Sequence, residues 1–345
     1  MTRRDLLPLT MSLLAKQTRV DEAIRLVEDR VRSGEVAGAV LHFRSKDTNV
    51  QRAFGNARTT DSVFLIASIT KPMTVTAVMV MVDRGQLKLA DPVQKYIPEF
   101  SGDGRDKVLV QHLLTHTSGL PDMLPENDEL RQRHAGLQEF VARTCRTPLL
   151  FPPGTELRYQ SMGILLAAEI VQRLSGQPFP EFLTRQVLAP LKMKYTSLGL
   201  GSRSVGETMQ VQLPAATNWD WNSRYWRTLG APWGGAHSTA GDIVRFLRYF
   251  VERPSGILKA DTAAAMITNQ TPGLKRSWGY GWMVGPEGLG KDCSSSAFGH
   301  SGSTGTMCWL DPSAGSEFVL LTTRPADASN RMLIRPVSDL LSQRD

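Results

Sequence analysis

The sequence is poor in cysteine, with only Cys145, Cys293 and Cys308 among 345 residues. An odd count without paired short spacings encodes neither a disulfide scaffold nor a zinc ribbon, so it demands no oxidising compartment and no structural metal. Long apolar runs are missing too: nothing approaches the roughly 20 uninterrupted apolar residues that span a bilayer. There is no internal repeat or low-complexity tract. Positive charge is in excess, net +7 with a pI near 9.4. Lys and Arg are nevertheless dispersed, with no dense run and no interleaved aromatics, which reads as a solvated basic surface and argues against a nucleic-acid partner.

What remains is an ordinary globular composition, 41% hydrophobic and 21% charged, long enough for one large domain or two smaller ones. The start, Thr2-Arg3-Arg4-Asp5-Leu6-Leu7, resembles a twin-arginine export signal with an apolar stretch from Leu6 to Ala15. Pro8 and Thr10 interrupt that stretch and no A-x-A site follows. Residues 1–18 therefore read as a terminal segment or an export signal, and periplasmic and cytoplasmic residence both stay open.

Val20, Ile24, Val27 and Val31 fall on one face of a helix expected from Val20 to Ser33. A β-hairpin should follow, Ala39 to Arg44 and Val50 to Phe54, around the turn Lys46-Asp47-Thr48-Asn49. A second hairpin, Thr306 to Leu310 and Glu317 to Thr322, and a helix from Arg331 to Ser342 end the chain. This mirrored arrangement predicts an α/β fold in which both termini build one antiparallel sheet covered by helices. Residues 19–90 and 255–345 would form that sandwich, and 91–254 a mostly helical inserted domain. Helices are expected over Thr70 to Val82, Leu137 to Thr144, Met162 to Leu174, Pro180 to Leu188 and Gly241 to Val251.

One segment carries chemistry. Ser68 is followed three residues later by Lys71 at the start of a helix that is apolar nearly all round. Residues three apart are neighbours on a helix, so the amine would lie beside the hydroxyl. A serine hydroxyl needs a base, and lysine serves as one only where burial or a nearby cation lowers its pKa. Alone, the tetrapeptide reads as readily as a capping serine and a surface lysine.

Its companions change that reading. S-x-x-K belongs to the signatures of β-lactamases and penicillin-binding proteins. Here it is joined by Tyr159-Gln160-Ser161 and by Gly299-His300-Ser301-Gly302-Ser303. His112-Leu113-Leu114-Thr115-His116-Thr117-Ser118-Gly119-Leu120-Pro121 and Trp278-Gly279-Tyr280-Gly281-Trp282 accompany them. With these motifs the chain resembles, over nearly its whole length, the serine β-lactamase-like superfamily. The branch is that of class C β-lactamases, D-alanyl-D-alanine carboxypeptidases, D-aminopeptidases and family VIII carboxylesterases.

The resemblance implies the β-lactamase/transpeptidase-like fold and an acyl-enzyme on Ser68. Lys71 would help remove its proton, and Tyr159, its phenolate favoured by the neighbouring lysine, would act as base or proton relay. Substrate would meet Ser161, His300, Ser301, Gly302 and Ser303, with the Ser68 and Ser303 backbone N–H groups as the oxyanion hole. His300, usually neutral near pH 7, would donate a hydrogen bond to substrate. No cofactor or metal is implied.

Two departures weigh against efficient lactam turnover: His300 stands where lactamases carry Lys, and Ser161 where they carry Asn. Trp219, Trp221, Trp226 and Trp233 are offered as an apolar acyl pocket or as packing. The expected activity is therefore hydrolysis of small esters. The alternatives are a D-aminopeptidase or D-alanyl-D-alanine carboxypeptidase, a weak β-lactamase, a transferase to an acceptor other than water, and a non-catalytic penicillin-binding-like protein. Oligomeric state is left open.

Three other patterns carry less. Gly285 to Lys291 approximates a phosphate-binding loop, but Asp292 occupies the Ser/Thr position. His112 and His116 have zinc-pair spacing without the catalytic Glu or a third ligand. G-x-S-x-G, the signature of α/β-hydrolases, is absent.

Overall fold

The computed structural model describes residues 3–252 and 256–343, with side chains from residue 17 onward. The chain begins with helix α1 (Arg3–Arg32), longer than the expected helix toward the N-terminus. The hairpin β1 (Gly38–Ser45) and β2 (Thr48–Gly55) follows. Ser45 pairs with Thr48, so the turn is the two residues Lys46 and Asp47, tighter than the four expected, because the strands keep pairing to their ends. Thr2 and the side chains through residue 16, on which the export reading rests, lie outside the described residues, as does the expected boundary at 254–255.

Next come the short strand β3 (Phe64–Leu65) and helix α2 (Thr70–Asp83). The helical stretch contains α3 (Val110–Leu114), α4 (Asn127–Gln132), α5 (Leu137–Thr144), α6 (Met162–Ser175) and α7 (Phe179–Leu183). The helix expected over Pro180 to Leu188 is thus α7 continued by one wider turn, Thr184–Leu188. Beyond lie β4 (Ser197–Leu198), α8 (Arg224–Leu229), β5 (Ala236–Ser238), α9 (Ala240–Glu252) and α10 (Ala260–Met266). The chain ends with β6 (Met283–Val284), β7 (Phe298–Gly302), β8 (Thr306–Asp311), β9 (Ser316–Thr322), α11 (Ala326–Ser329) and α12 (Arg335–Ser342).

Both ends of the chain build one six-stranded antiparallel sheet, ordered β2-β1-β9-β8-β7-β6. Its residues alternate between two cores, as the two-residue period of a strand requires. Ala39, Leu41, Phe43, Met307, Trp309, Phe318 and Leu320 face α1 and α12 through Val20, Ala23, Val27, Val337 and Leu341. Val40, Cys308, Leu310, Val319 and Leu321 belong to the larger core shared with α9 and the helical stretch. Complete burial of each such large side chain contributes about 1.5–3 kcal/mol.

Helix α2 is buried on every side from Thr70 to Met81 and packs against α6, α7 and the wider turn that continues α7. Its lack of a polar face is the physical reason it can be central. A second, small sheet orders β3-β5-β4, with Phe64 opposite Ser238 and Leu65 opposite His237. Strands of two or three residues carry no period for a sequence to reveal.

Candidate active site

Ser68 lies in a single 3-10 turn, Ala67–Ile69, that runs directly into α2. The turn is clamped from two sides. From β5, the Ile66 N–H donates to the Ala236 carbonyl (2.9 Å), and the Ala236 N–H donates to Thr70 Oγ1 (3.0 Å). From the β7–β8 end, Thr304 Oγ1 donates to the Leu65 carbonyl (2.6 Å) and Thr306 Oγ1 to that of Ile66 (3.1 Å). Ala67 is held at φ 45°, the left-handed region that non-glycine residues seldom occupy. Such a conformation costs about 1–3 kcal/mol and persists only where its surroundings impose it. Gly302 permits the close approach, since a Cβ there would collide with the Ile66 carbonyl oxygen and the Thr306 hydroxyl.

Lys71, one turn on, is completely buried. Its Nζ donates to Ser68 Oγ (3.0 Å) and to the Trp233 carbonyl (3.0 Å). Burial strips the ammonium of water and lowers its pKa from 10.5 to about 7, against a smaller upward pull from Asp122. A substantial fraction of the amine is therefore neutral near pH 7 and able to take a proton from Ser68.

Tyr159 is partly buried, hydrogen-bonded to Ser68, and presents its ring face to Lys71 Nζ at 4.6 Å from the centroid. Burial raises its pKa well above 10, the bond to Ser68 opposing and the Asp122 charge adding to the rise. This reverses the expected phenolate. The lysine sits over the ring and is itself only partly charged near pH 7, so the bond to Ser68 does not make up for desolvation of a phenolate. Tyr159 is accordingly a protonated phenol, suited to relay or donate a proton.

His300 is buried on β7, its pKa driven to about 3 by burial and the Lys71 charge. Its Nδ1 must donate to the Ser301 carbonyl (2.7 Å), because a carbonyl only accepts. In the neutral ring Nε2 then carries the lone pair, and it has no protein partner. His300 thus carries a lone pair at a buried Nε2, in place of the N–H donor expected there. His116 has the opposite polarity: Nδ1 accepts from the Gln160 N–H (3.2 Å), leaving a buried Nε2–H without a partner. It packs 4.6 Å from both the Tyr159 and the Trp278 ring centroids. With α3 ending at Leu114, His116 does not share a helix face with His112. Among the described residues no group of three or more His, Cys, Asp or Glu could hold a metal ion.

Ser68, Tyr159, Ser161, His300, Ser301, Gly302 and Ser303 all line one cavity of about 470 Å³, with Lys71 directly beneath. Ser161 Oγ donates to Asp122 Oδ1 (2.6 Å). Trp221, Trp226 and Trp233 form a wall of the cavity, while Trp219 lies outside it. Three contributors escape sequence reasoning. Asp122 and Arg131 belong to no motif, and His116 appears only within the motif segment His112 to Pro121 and as half of a zinc spacing. The motif segment ending at Pro121 is the one signal that points toward them. The Gly285 to Asp292 segment joins β6 to β7.

Residues 23–340 match the Beta-lactamase family. The chain belongs to that family. Among its relatives is esterase EstB of Burkholderia gladioli, 28% identical with 90% of each chain covered. Penicillin-binding protein 4 of Amycolatopsis lactamdurans is 30% identical over 84% of this chain and 77% of its own. Among solved structures, EstCE1, described as a hydrolase with promiscuous acyltransferase activity, has a TM-score of 0.77 at 19% identity, covering 96% of this chain and 99% of its own. The fold is that of the β-lactamase/transpeptidase group, as expected from the sequence, and the protein is a hydrolase of the serine β-lactamase and esterase kind.

Proposed function

We propose that this Beta-lactamase family member is a carboxylesterase that hydrolyses small esters through an acyl-enzyme on Ser68. The observation that carries the proposal is the wholly buried Lys71 amine, 3.0 Å from Ser68 Oγ and with its pKa near 7. In the reading, neutral Lys71 takes the Ser68 proton as Oγ bonds to the substrate carbonyl carbon. The oxyanion is met by the backbone N–H groups of Ser68 and Ser303, donors of a kind that contribute about 3–4 kcal/mol in such sites. As the carbonyl–alkoxide bond breaks, the proton on Lys71 reaches the leaving oxygen directly or through the Tyr159 hydroxyl. Water then attacks the acyl-enzyme, giving one proton back to Ser68 and releasing the acid.

Three features favour esters over β-lactams. His300 is neutral and itself gives a substrate carboxylate no cation, Ser161 is engaged with Asp122, and four indoles, those of Trp221, Trp226, Trp233 and Trp278, line the cavity. EstB, similar over 90% of the chain, is named an esterase. A second reading, hydrolysis of D-amino-acid amides or peptides, draws on Asp122, a cavity carboxylate that could pair with a substrate ammonium. The test is turnover of p-nitrophenyl butyrate, a D-amino-acid p-nitroanilide and a chromogenic cephalosporin, by wild-type protein and Ser68→Ala. Ester turnover that disappears in the variant supports the proposal. Turnover of the anilide alone moves the assignment to the amidase reading, and turnover surviving Ser68→Ala removes the nucleophile.

A further inference from the structure

The cavity is lined by two cations, and they differ in one respect. Arg276 is paired, its Nε 3.0 Å from Glu287 Oε1. Arg131, on α4, is not. Its guanidinium carbon sits 4.1 Å from the Trp226 ring centroid and 5.2 Å from that of Trp219. Nη2 donates to the Trp219 carbonyl (2.9 Å), and Nε is buried with no hydrogen-bond partner. Among the described residues no carboxylate forms an ion pair with it. Asp128, Asp220 and Tyr225 act on it only through space, and burial outweighs them in its pKa, yet a guanidinium stays charged at any working pH.

A partly buried charge without a partner is costly, so a binding cavity that keeps one has a use for it. The geometry also suits recognition. Held against two indoles and tied to a carbonyl, the planar fork has few orientations left to lose when it engages an anion, and its donors match the two oxygens of a carboxylate. Trp221, Trp226 and Trp233 supply apolar surface alongside it for methylene groups.

We infer that Arg131 is the carboxylate-binding residue of the cleft, and that the preferred substrates are esters bearing a free carboxylate at the end of a short acyl chain. The inference rests on the esterase reading and narrows it, assigning to Arg131 the anion recognition that neutral His300 cannot provide.

The test separates binding from turnover. Ser68→Ala protein is titrated with monomethyl adipate and with its neutral counterpart, methyl adipamate, following tryptophan fluorescence. The acid is expected to bind about tenfold or more tightly than the amide, the size of effect a charge-assisted hydrogen bond gives. In Arg131→Gln on the same background the ratio should fall toward one, and Arg131→Lys should keep an intermediate ratio. Equal affinities in the parent, a ratio that survives Arg131→Gln, or no binding of either ligand would overturn the inference. Turnover of p-nitrophenyl butyrate by protein with Ser68 intact reports separately on the esterase reading. Selective binding of the acid without any ester turnover would sink that reading and leave the subsite standing.

Discussion

Lys71→Met removes a completely buried amine while keeping most of the side-chain volume, and its two effects should run in opposite directions. In the unfolded chain the lysine titrates near 10.5, and in the folded protein near 7. The unfolded state therefore holds the proton more tightly, and stability climbs as pH rises between those two values. At about pH 7 the mismatch costs about 4 kcal/mol, and at about pH 9 still about 2 kcal/mol. Methionine escapes this cost but leaves Ser68 Oγ and the Trp233 carbonyl without their donor, a loss of about 1 kcal/mol each. The variant should thus be more stable than wild type by about 2 kcal/mol near pH 7 and about equal to it near pH 9. Ester turnover should meanwhile fall about 10²- to 10⁴-fold, as the loss of a general base entails. Urea unfolding of both proteins at the two pH values isolates the lysine, because every other titrating group is common to them. A stability gap that does not change with pH would refute the reasoning, since it would mean that the amine does not titrate in that interval.

Other outcomes follow from the same geometry. Asp122→Asn removes the charge that raises the Lys71 pKa, so the acidic limb of the kcat/KM profile should move to lower pH; a limb that stays in place or moves up would show that Asp122 does not act on the base. Glu317 is pushed up by burial, but hydrogen bonds from His42 (2.9 Å) and Arg248 (2.8 Å) prevail and hold its pKa near 2. Its contribution is present above about pH 4.5 and lost as pH falls toward 2, so Glu317→Gln should cost about 3 kcal/mol at neutral pH, with the gap to wild type closing in acid urea titrations. Gly302→Ala should drive β7 away from Ile66 and abolish ester turnover, while retained activity would show that the clamp on Ser68 is looser than its contacts imply.

How far the sequence could be read depended on whether the determinant was local. Helix α2 was legible because a helix apolar nearly all round, with Val75 and Ala77 to Met81 in succession, belongs in the interior, and the two terminal hairpins were legible from alternation and turn residues. The motifs located Ser68, Lys71, Tyr159 and His300 together. Spacing alone could not say that Lys71 sits over the Tyr159 ring in a site so buried that desolvation prevails, so the expected phenolate had the wrong sign. Nor could it tell which nitrogen of His300 the Ser301 carbonyl would claim. Asp122 and Arg131 were invisible because their importance comes from a cavity assembled by distant segments, and β3, β4 and β5 are too short to show a period. Trp219 was grouped with the cavity indoles because it shares their loop, although it does not line the cavity and its ring packs against Arg131, which does.

The central claim is that Ser68 is the acylated nucleophile. It is tested most directly by intact-mass and peptide mass spectrometry after treatment with a fluorophosphonate. The account predicts a single adduct on the peptide carrying Ser68, formed faster as pH rises through about 7 while Lys71 loses its proton, and absent from Ser68→Ala. An adduct on any other residue, or one that persists in Ser68→Ala, would contradict it.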